Sequence, residues 1–414
     1  MAQKQTFAAK ATRRKKRQRW GAATLIAVLL LGLMSWLGYQ RLQAPLSPIQ
    51  PTSLYSPITG QPTTNLMWPT YGQAAVGAAG YGVLASHGAQ LPTPTASIAK
   101  LITALSVLQL KPLHVGEQGP MLTLNQADLD LYGSYVRQDG SVTAVVDGEQ
   151  LSEYQALQAM LLPSSNNMAD STAVWAFGSL TAYADYANKQ LQVWGLTQTH
   201  VGSDASGFSP STTSTASDLV KLGELAVANP VLAEITAQSS ADIPVVGTVH
   251  NVNWLLGTAG INGLKTGNSD QAGGTFLFSA AYHVPAGPKI MIVGVVLSAS
   301  DLATAMNSAI PLLLTSQQAF GYREALAAGQ AVGLYHAKWA SPVTAVTLRS
   351  IRSLQWQGRV LARPQIVLSS LTAPGAKGQT VGSISYGSSD TTPVVLSQPV
   401  PAPSFWWRLP HSGR

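Results

Sequence analysis

The chain has 414 residues, enough for two domains, or for one large domain with appendages, and only 10% of them are charged. It has no cysteine, which excludes disulfides and thiolate metal sites. The net charge of +7 is local: residues 1–20 hold 8 Lys or Arg and no acid, leaving 17 basic and 18 acidic residues elsewhere, so the charge marks a tail and not a basic groove for nucleic acid.

After that basic tail, 1–20, comes an uncharged run from Gly21 to Tyr39, 19 residues long. This is about the length of a helix that crosses a bilayer core. Trp20, Trp36 and Tyr39 lie near its ends, where interfacial aromatics belong, and the preceding positive charge predicts a cytoplasmic N-terminus. A cleaved signal peptide is the competing reading. Against it stand the length of the run and the exit Gln40-Arg41-Leu42-Gln43-Ala44-Pro45, which lacks a small-x-small site. A retained single-pass anchor at 21–39 is expected, with the remainder of the chain outside the cytoplasm.

Residues 40–70 are rich in Pro, Ser, Thr and Gln without periodicity and predict an extended linker. Gly72–Ser86, small and glycine-rich, predicts a loose hairpin. In Ser97-Ile98-Ala99-Lys100-Leu101-Ile102-Thr103-Ala104-Leu105 the apolar residues recur at helical spacing, so a helix begins near Ser97. Residues three apart share a helix face, which puts Ser97 and Lys100 together in the first turn. A serine hydroxyl needs a base to become a nucleophile, and a buried lysine of lowered pKa can be that base. Free N–H groups of the first turn can hold an oxyanion. The bland alternative is a capping serine beside a snorkelling lysine. This is the only Ser-x-x-Lys in the chain.

Val142–Val146 predicts a short strand, closed by the turn Asp147-Gly148. A helix over Ser152–Leu162 is stopped by Pro163, and a second runs from Met168 to about Phe177. Between them Ser164-Ser165-Asn166-Asn167 gathers hydroxyls and amides, which could simply cap the second helix. Two Ser-x-Asn registers are available there, Ser164/Asn166 and Ser165/Asn167. Further on, Ser214–Asp218 caps an amphipathic helix to about Val227. Thr275–Ala281 and Lys289–Leu297 read as buried strands, and Ala303–Phe320 as a helix with a possible kink at Pro311. From about His336 short strands alternate with turns at 343–348, 359–362, 365–368, 380–386 and 393–396. The end, 401–414, reads as a tail with an aromatic cluster, Phe405–Leu409.

Three motifs thus stand in chain order: Ser97-x-x-Lys100, Ser164-x-Asn166 and Lys265-Thr266-Gly267, with 64 residues from Lys100 to Ser164 and 99 from Asn166 to Lys265. The triple resembles that of the serine penicillin-recognising enzymes. Its flanks, Asp204-Ala205-Ser206-Gly207-Phe208, Ser214-Thr215-Ala216-x-Asp218, Asn251-x-Asn253 and Gly263–Gly267 with Ala272-Gly273, are similar to the low-molecular-mass D-alanyl-D-alanine carboxypeptidases. Leu371-Thr372-Ala373-Pro374 and Lys377-Gly378-Gln379 resemble that family's smaller domain.

The resemblance implies an α+β fold. A transpeptidase-like catalytic domain, a helical cluster on an antiparallel sheet, is expected over 71–325, and a small all-β domain over 335–400. It also implies hydrolysis of the terminal D-Ala-D-Ala bond of peptidoglycan stem peptides through an acyl-enzyme, inhibition by β-lactams, and no cofactor or metal. Ser97 would be the nucleophile, Lys100 its base and Ser164 a proton relay. Asn166, Lys265, Thr266 and Gly267 would bind substrate, with the N–H groups of Ser97 and Asn268 as oxyanion donors. The small middle residue of the family motif and the approach Leu161-Leu162-Pro163 select the Ser164/Asn166 register. A second cation at Lys265 is expected to help keep Lys100 neutral. The alternatives are a β-lactamase or D,D-endopeptidase of the same fold, and a catalytically silent wall-binding protein. Absence of Gly-x-Ser-x-Gly and of His-Glu-x-x-His disfavours a Ser-His-Asp hydrolase and a zinc peptidase.

Overall fold

The computed structural model describes residues 2–56, 64–387 and 390–411. The chain divides into two compact units: residues 59–323 with 354–361, and residues 1–58 with 324–353 and 362–414.

The larger unit is built on a five-stranded antiparallel sheet in the order Ile261–Ser269, Gly273–His283, Lys289–Ala299, Gln73–Ala78, Gly82–His87. Side chains alternate between its faces, as the period of two requires. Phe276, Phe278, Ile292 and Val296 pack on the helix Leu302–Ala319 through Ala305, Met306, Ala309 and Leu313. Leu264, Leu277, Val293 and Val295 face the other way, onto a helical cluster that includes Leu101, Leu157, Leu219 and Leu222. Gly294 leaves the room that the Phe278 ring fills, since a Cβ there would meet the ring. The helix Ala99–Leu110 runs through this cluster with ten of its twelve residues buried, which orders the segment carrying the first motif. The expected hairpin is present as Gln73–Ala78 and Gly82–His87. Pro311 lies inside the closing helix.

The smaller unit holds a six-stranded antiparallel sheet: Pro51–Ser53, Ala331–Tyr335, Val343–Thr347, Asp390–Leu396, Thr380–Tyr386, Pro364–Leu368. It also contains the N-terminal helix Ala2–Gln43, whose part from Lys16 to Gln43 is long and apolar enough to cross a membrane and buries none of its apolar window.

Several expectations need correction. The linker 40–70 is not extended throughout: the N-terminal helix reaches Gln43, Ile49 exchanges two backbone hydrogen bonds with Leu371, and Pro51–Ser53 joins the sheet as an edge strand. Proline at the first residue of an edge strand costs no ladder bond, so the proline-rich text concealed a strand. Part of that stretch, 57–63, lies outside the described residues. The basic segment 1–20 is continuous with the helix that follows it. Leu354–Leu361, placed in the β domain from sequence, belongs to the larger unit, where Trp356 packs on Phe320 with ring centroids 4.7 Å apart. Ala331–Tyr335 extends the β region N-terminally. The tail 401–414 contains a short helix, Phe405–His411. Val142–Val146 is no strand; the N–H and C=O of Thr143 are taken by the Asn167 side chain at 3.0 and 2.9 Å, which replaces a ladder partner.

Candidate active site

Ser97 lies in a single 3-10 turn, Ala96–Ile98, immediately before the helix that carries Lys100. The two side chains meet, with Lys100 Nζ 2.8 Å from Ser97 Oγ. The same nitrogen donates to Asn166 Oδ1 at 2.8 Å and to the Ser206 carbonyl at 3.0 Å. Lys100 is fully buried. Burial holds its pKa down at about 7, against the opposing pull of the carboxylates of Asp204 and Asp170.

Pro163 ends the helix Glu153–Leu161, and the next helix begins at Asn166, two residues earlier than expected. Ser164 sits between them at φ +63°, a left-handed conformation that a residue with a Cβ adopts at a cost of about 1 kcal/mol or more. In that conformation its Oγ receives a hydrogen bond from Lys265 Nζ at 2.9 Å. The neighbouring register turns elsewhere: Ser165 donates to Asn167 Oδ1 at 2.7 Å, and Asn167 holds Thr143. Ser164 and Asn166 therefore face the two lysines, and Ser165 and Asn167 brace the loop behind them.

Lys265, Thr266 and Gly267 lie buried on the edge strand Ile261–Ser269. Lys265 Nζ also donates to the Thr266 carbonyl at 3.1 Å. Burial, and after it the charge of Lys100, lowers the Lys265 pKa well below its ordinary value. The expected help from Lys265 does not appear at Lys100, where burial alone lowers the pKa; the charge of Lys100 adds to the lowering at Lys265 instead. Two like charges cannot be added to one buried site without mutual cost, and both amines are pushed toward the neutral form. Gly267 has a structural reason beyond substrate approach. A Cβ there would stand 3.0 Å from the Ser97 nitrogen and would meet Thr275 Oγ1, so the third motif can lie against the first only without a side chain at this position. Asn268, next on the strand, is exposed.

Of the groups that position Lys100 from behind, sequence reasoning singled out Asp204–Phe208 as a family-like flank without giving it a role, and missed Tyr135, Asp170 and Thr103. Asp170, one turn after Asn166, accepts from Tyr135 Oη at 2.6 Å and from the Ala205 N–H at 2.8 Å. Asp204 accepts from the Ser206 N–H and hydroxyl at 2.8 and 2.6 Å. Thr103 donates to the Ala205 carbonyl at 2.6 Å. Together these fix the loop that presents the Ser206 carbonyl to Lys100. Gly207 completes the contact, because a Cβ there would strike the Ala96 carbonyl. Burial raises the Asp170 pKa to about 6 despite these hydrogen bonds.

Comparison with known proteins agrees with this geometry. Residues 74–301, over half of the chain, match the family described as D-alanyl-D-alanine carboxypeptidase, peptidase family S11. The chain belongs to this family. It is 31% identical over 207 residues to the D-alanyl-D-alanine carboxypeptidase DacB2 of Mycobacterium tuberculosis, covering 48% of this chain and 66% of that protein. To DacA of Escherichia coli K12 it is 27% identical over 205 residues, covering 48% of this chain and 49% of that protein. The chain thus spans only about half to two thirds of these relatives' length. The crystal structure of the carboxypeptidase DacD from Francisella tularensis shares the fold, with a TM-score of 0.59 at 18% identity over 84% of this chain and 97% of that one.

Proposed function

We propose that this chain is a membrane-anchored serine peptidase that removes the terminal D-alanine from peptidoglycan stem peptides through an acyl-enzyme on Ser97. The observation that carries this reading is the environment of Lys100 Nζ. An ammonium has three N–H donors, and three acceptors surround this nitrogen. The neutral amine has two. Given to Asn166 Oδ1 and the Ser206 carbonyl, they leave the lone pair directed at the Ser97 hydroxyl, which is the arrangement a general base requires. Burial supplies the neutral form near pH 7.

In the reaction, Ser97 Oγ attacks the carbonyl between the two D-alanines as its proton passes to Lys100. The backbone N–H groups of Ser97 and Asn268 stabilise the oxyanion. The C–N bond breaks, and the leaving amine takes a proton from Lys100 through Ser164. Water then hydrolyses the ester by the reverse sequence. Lys265 and Thr266 receive the substrate's terminal carboxylate. Its arrival supplies the counter-charge that lets Lys265 hold a proton in a buried place. Gly267 keeps the strand edge open. The N-terminal helix anchors the protein with its basic end in the cytoplasm.

Covalent labelling by a fluorescent penicillin tests the nucleophile. The parent protein should be labelled and Ser97→Ala should not, with the melting curve unchanged. Labelling of the variant would sink the assignment. A peptide ending in D-Ala-D-Ala should be cleaved and its C-terminal amide should not; equal cleavage of both would favour an endopeptidase. Rapid turnover of the penicillin would favour a β-lactamase.

A further inference from the structure

The smaller unit carries a second built feature, where the N-terminal helix ends. The short helix Phe405–His411 packs beside the last turns of the long one. Arg408 donates to the carbonyls of Leu42 and Ala44 at 2.6 and 3.1 Å, and Arg41 donates to the Leu409 carbonyl at 3.2 Å. Each arginine thereby satisfies carbonyls that a helix end leaves without partners. Beside this junction is a cavity of about 340 Å³. Five of its lining residues are Arg41, His336, Lys338, Arg408 and His411, and none is acidic. A guanidinium has five N–H donors, and Arg408 uses two of them in the bonds just described. Trp339 and Trp407 form an aromatic wall with ring centroids 4.8 Å apart, and Trp339 is held by a hydrogen bond to the Pro401 carbonyl at 2.7 Å.

A second, apolar groove of about 390 Å³ runs along the same two helices, lined by Leu31, Met34, Gly38, Tyr39, Leu42 and Leu409. Phe405 and Trp406 stand exposed next to it. The cavity is lined by basic and the groove by apolar side chains, and both lie along the same two helices, the polarity of one molecule with an anionic head and an apolar tail. The groove lies on the segment that is long and apolar enough to cross a membrane, and the cavity at that segment's end. Cations gathered without a counter-charge at that level attract anionic headgroups, while the exposed aromatics suit the interface.

We propose that this junction is a binding site for an anionic phospholipid, with its phosphate in the cationic cavity and an acyl chain in the groove. The site rests on the membrane-spanning reading of the N-terminal helix and not on the reading of Ser97 chemistry. A bound lipid would clamp the two helices together and fix how the smaller unit meets the membrane surface.

The test uses the full chain in dodecyl maltoside micelles, with lipid retention read by native mass spectrometry. Dioleoyl phosphatidylglycerol should be retained about tenfold better than dioleoyl phosphatidylcholine, as a few surface cations together imply. The double variant His336→Gln/Lys338→Gln leaves both helix-end arginines in place. It should cut the preference for phosphatidylglycerol about fivefold, the weight of one surface lysine, with unchanged melting and unchanged penicillin labelling. Equal retention of the two lipids by the parent protein, or undiminished preference in the variant, would overturn the proposal. So would displacement of phosphatidylglycerol by millimolar inorganic phosphate, which would make the cavity a site for free anions. Release of the chain from membranes by alkaline carbonate would overturn the spanning reading, and the lipid with it. Penicillin labelling reports on Ser97 independently of all these outcomes.

Discussion

The two units use the same kind of side chain in opposite ways. In the larger one, Lys100 and Lys265 are enclosed among hydroxyls, amides and carbonyls, with no carboxylate in direct contact, and burial pushes both toward the neutral amine. In the smaller one, Arg41, Lys338 and Arg408 line a cavity at the end of the N-terminal helix, with Arg41 and Lys338 exposed. Lys265 needs the substrate's carboxylate beside it to hold its proton, whereas an arginine keeps its own without such help. A cation that must take a proton from serine has to lose its own first, and only lysine can do so near neutral pH. Residue type decides which cation can give up its proton, and desolvation makes Lys100 do so. Lys100 becomes a base because the helix carrying it is packed on every side.

The strongest way to break this contrast is to put the wrong cation in the buried position. Lys100→Arg keeps a positive charge and hydrogen-bond donors but offers no lone pair. Acylation of Ser97 should fall by about a thousandfold, the range general-base catalysis supplies. The second-order rate of penicillin labelling measures it, and a loss below about tenfold would mean that Lys100 is not the base.

A gentler change gives the buried lysine a counter-charge. In the parent protein the acylation rate should rise with pH to a midpoint near the Lys100 pKa of about 7, since only the neutral amine accepts the serine proton. Asn166→Asp places a carboxylate where the amide oxygen now lies, 2.8 Å from Nζ. An opposite charge so close favours the ammonium and should move the midpoint up by about 1–3 units, slowing the reaction at pH 7 by about 5- to 500-fold. Asn167→Ala is the control. It removes two hydrogen bonds to buried Thr143, so it should cost about 1–3 kcal/mol of stability and leave the midpoint in place. An unmoved midpoint in Asn166→Asp, or a shifted one in Asn167→Ala, would reverse the roles of the two registers.

Much of the site was legible because it follows local rules. Ser97 and Lys100 are three residues apart at a helix start, and that spacing alone brings them together. Pro163 forces a break that turns Ser164 toward Lys265, so the register followed from the stop signal and the small Ser165. The partners behind Lys100 were legible only as a resemblance at Asp204–Phe208, and their role was not. The Ser206 carbonyl is a backbone atom that any residue would supply, and Asp170 reads as one polar residue in a helix. They matter only because folding brings residues 135, 170 and 204–206 together. The missed strands have a similar cause. Pro51–Ser53 and Ala331–Tyr335 are short, and they contain proline and glycine that weaken the alternation strand reading depends on. Val142–Val146 has the composition of a strand, yet Asn167 takes the backbone groups of Thr143, which would have paired.

A buried anion offers the subtlest test of the same principle. Glu153 opens the helix Glu153–Leu161, is fully buried, and has no hydrogen-bond partner among the described residues for either carboxylate oxygen. Burial lifts its pKa to about 7, against the opposing pull of the Lys111 charge. The sign of the effect on stability follows from proton counts. Between the ordinary value of 4.5 and about 7 the folded protein holds a proton that the unfolded chain has lost, so stability falls as pH rises across that window. Below 4.5 the carboxyl is neutral in both states and the penalty is absent; above about 7 it is present in full. Glu153→Gln should therefore stabilise the protein by about 1–3 kcal/mol at pH 8 and change little at pH 4. Thermal melts of the full chain in detergent at the two pH values measure the difference. An equal shift at both would mean that the substitution acts through packing, and that water reaches this carboxylate in the native state.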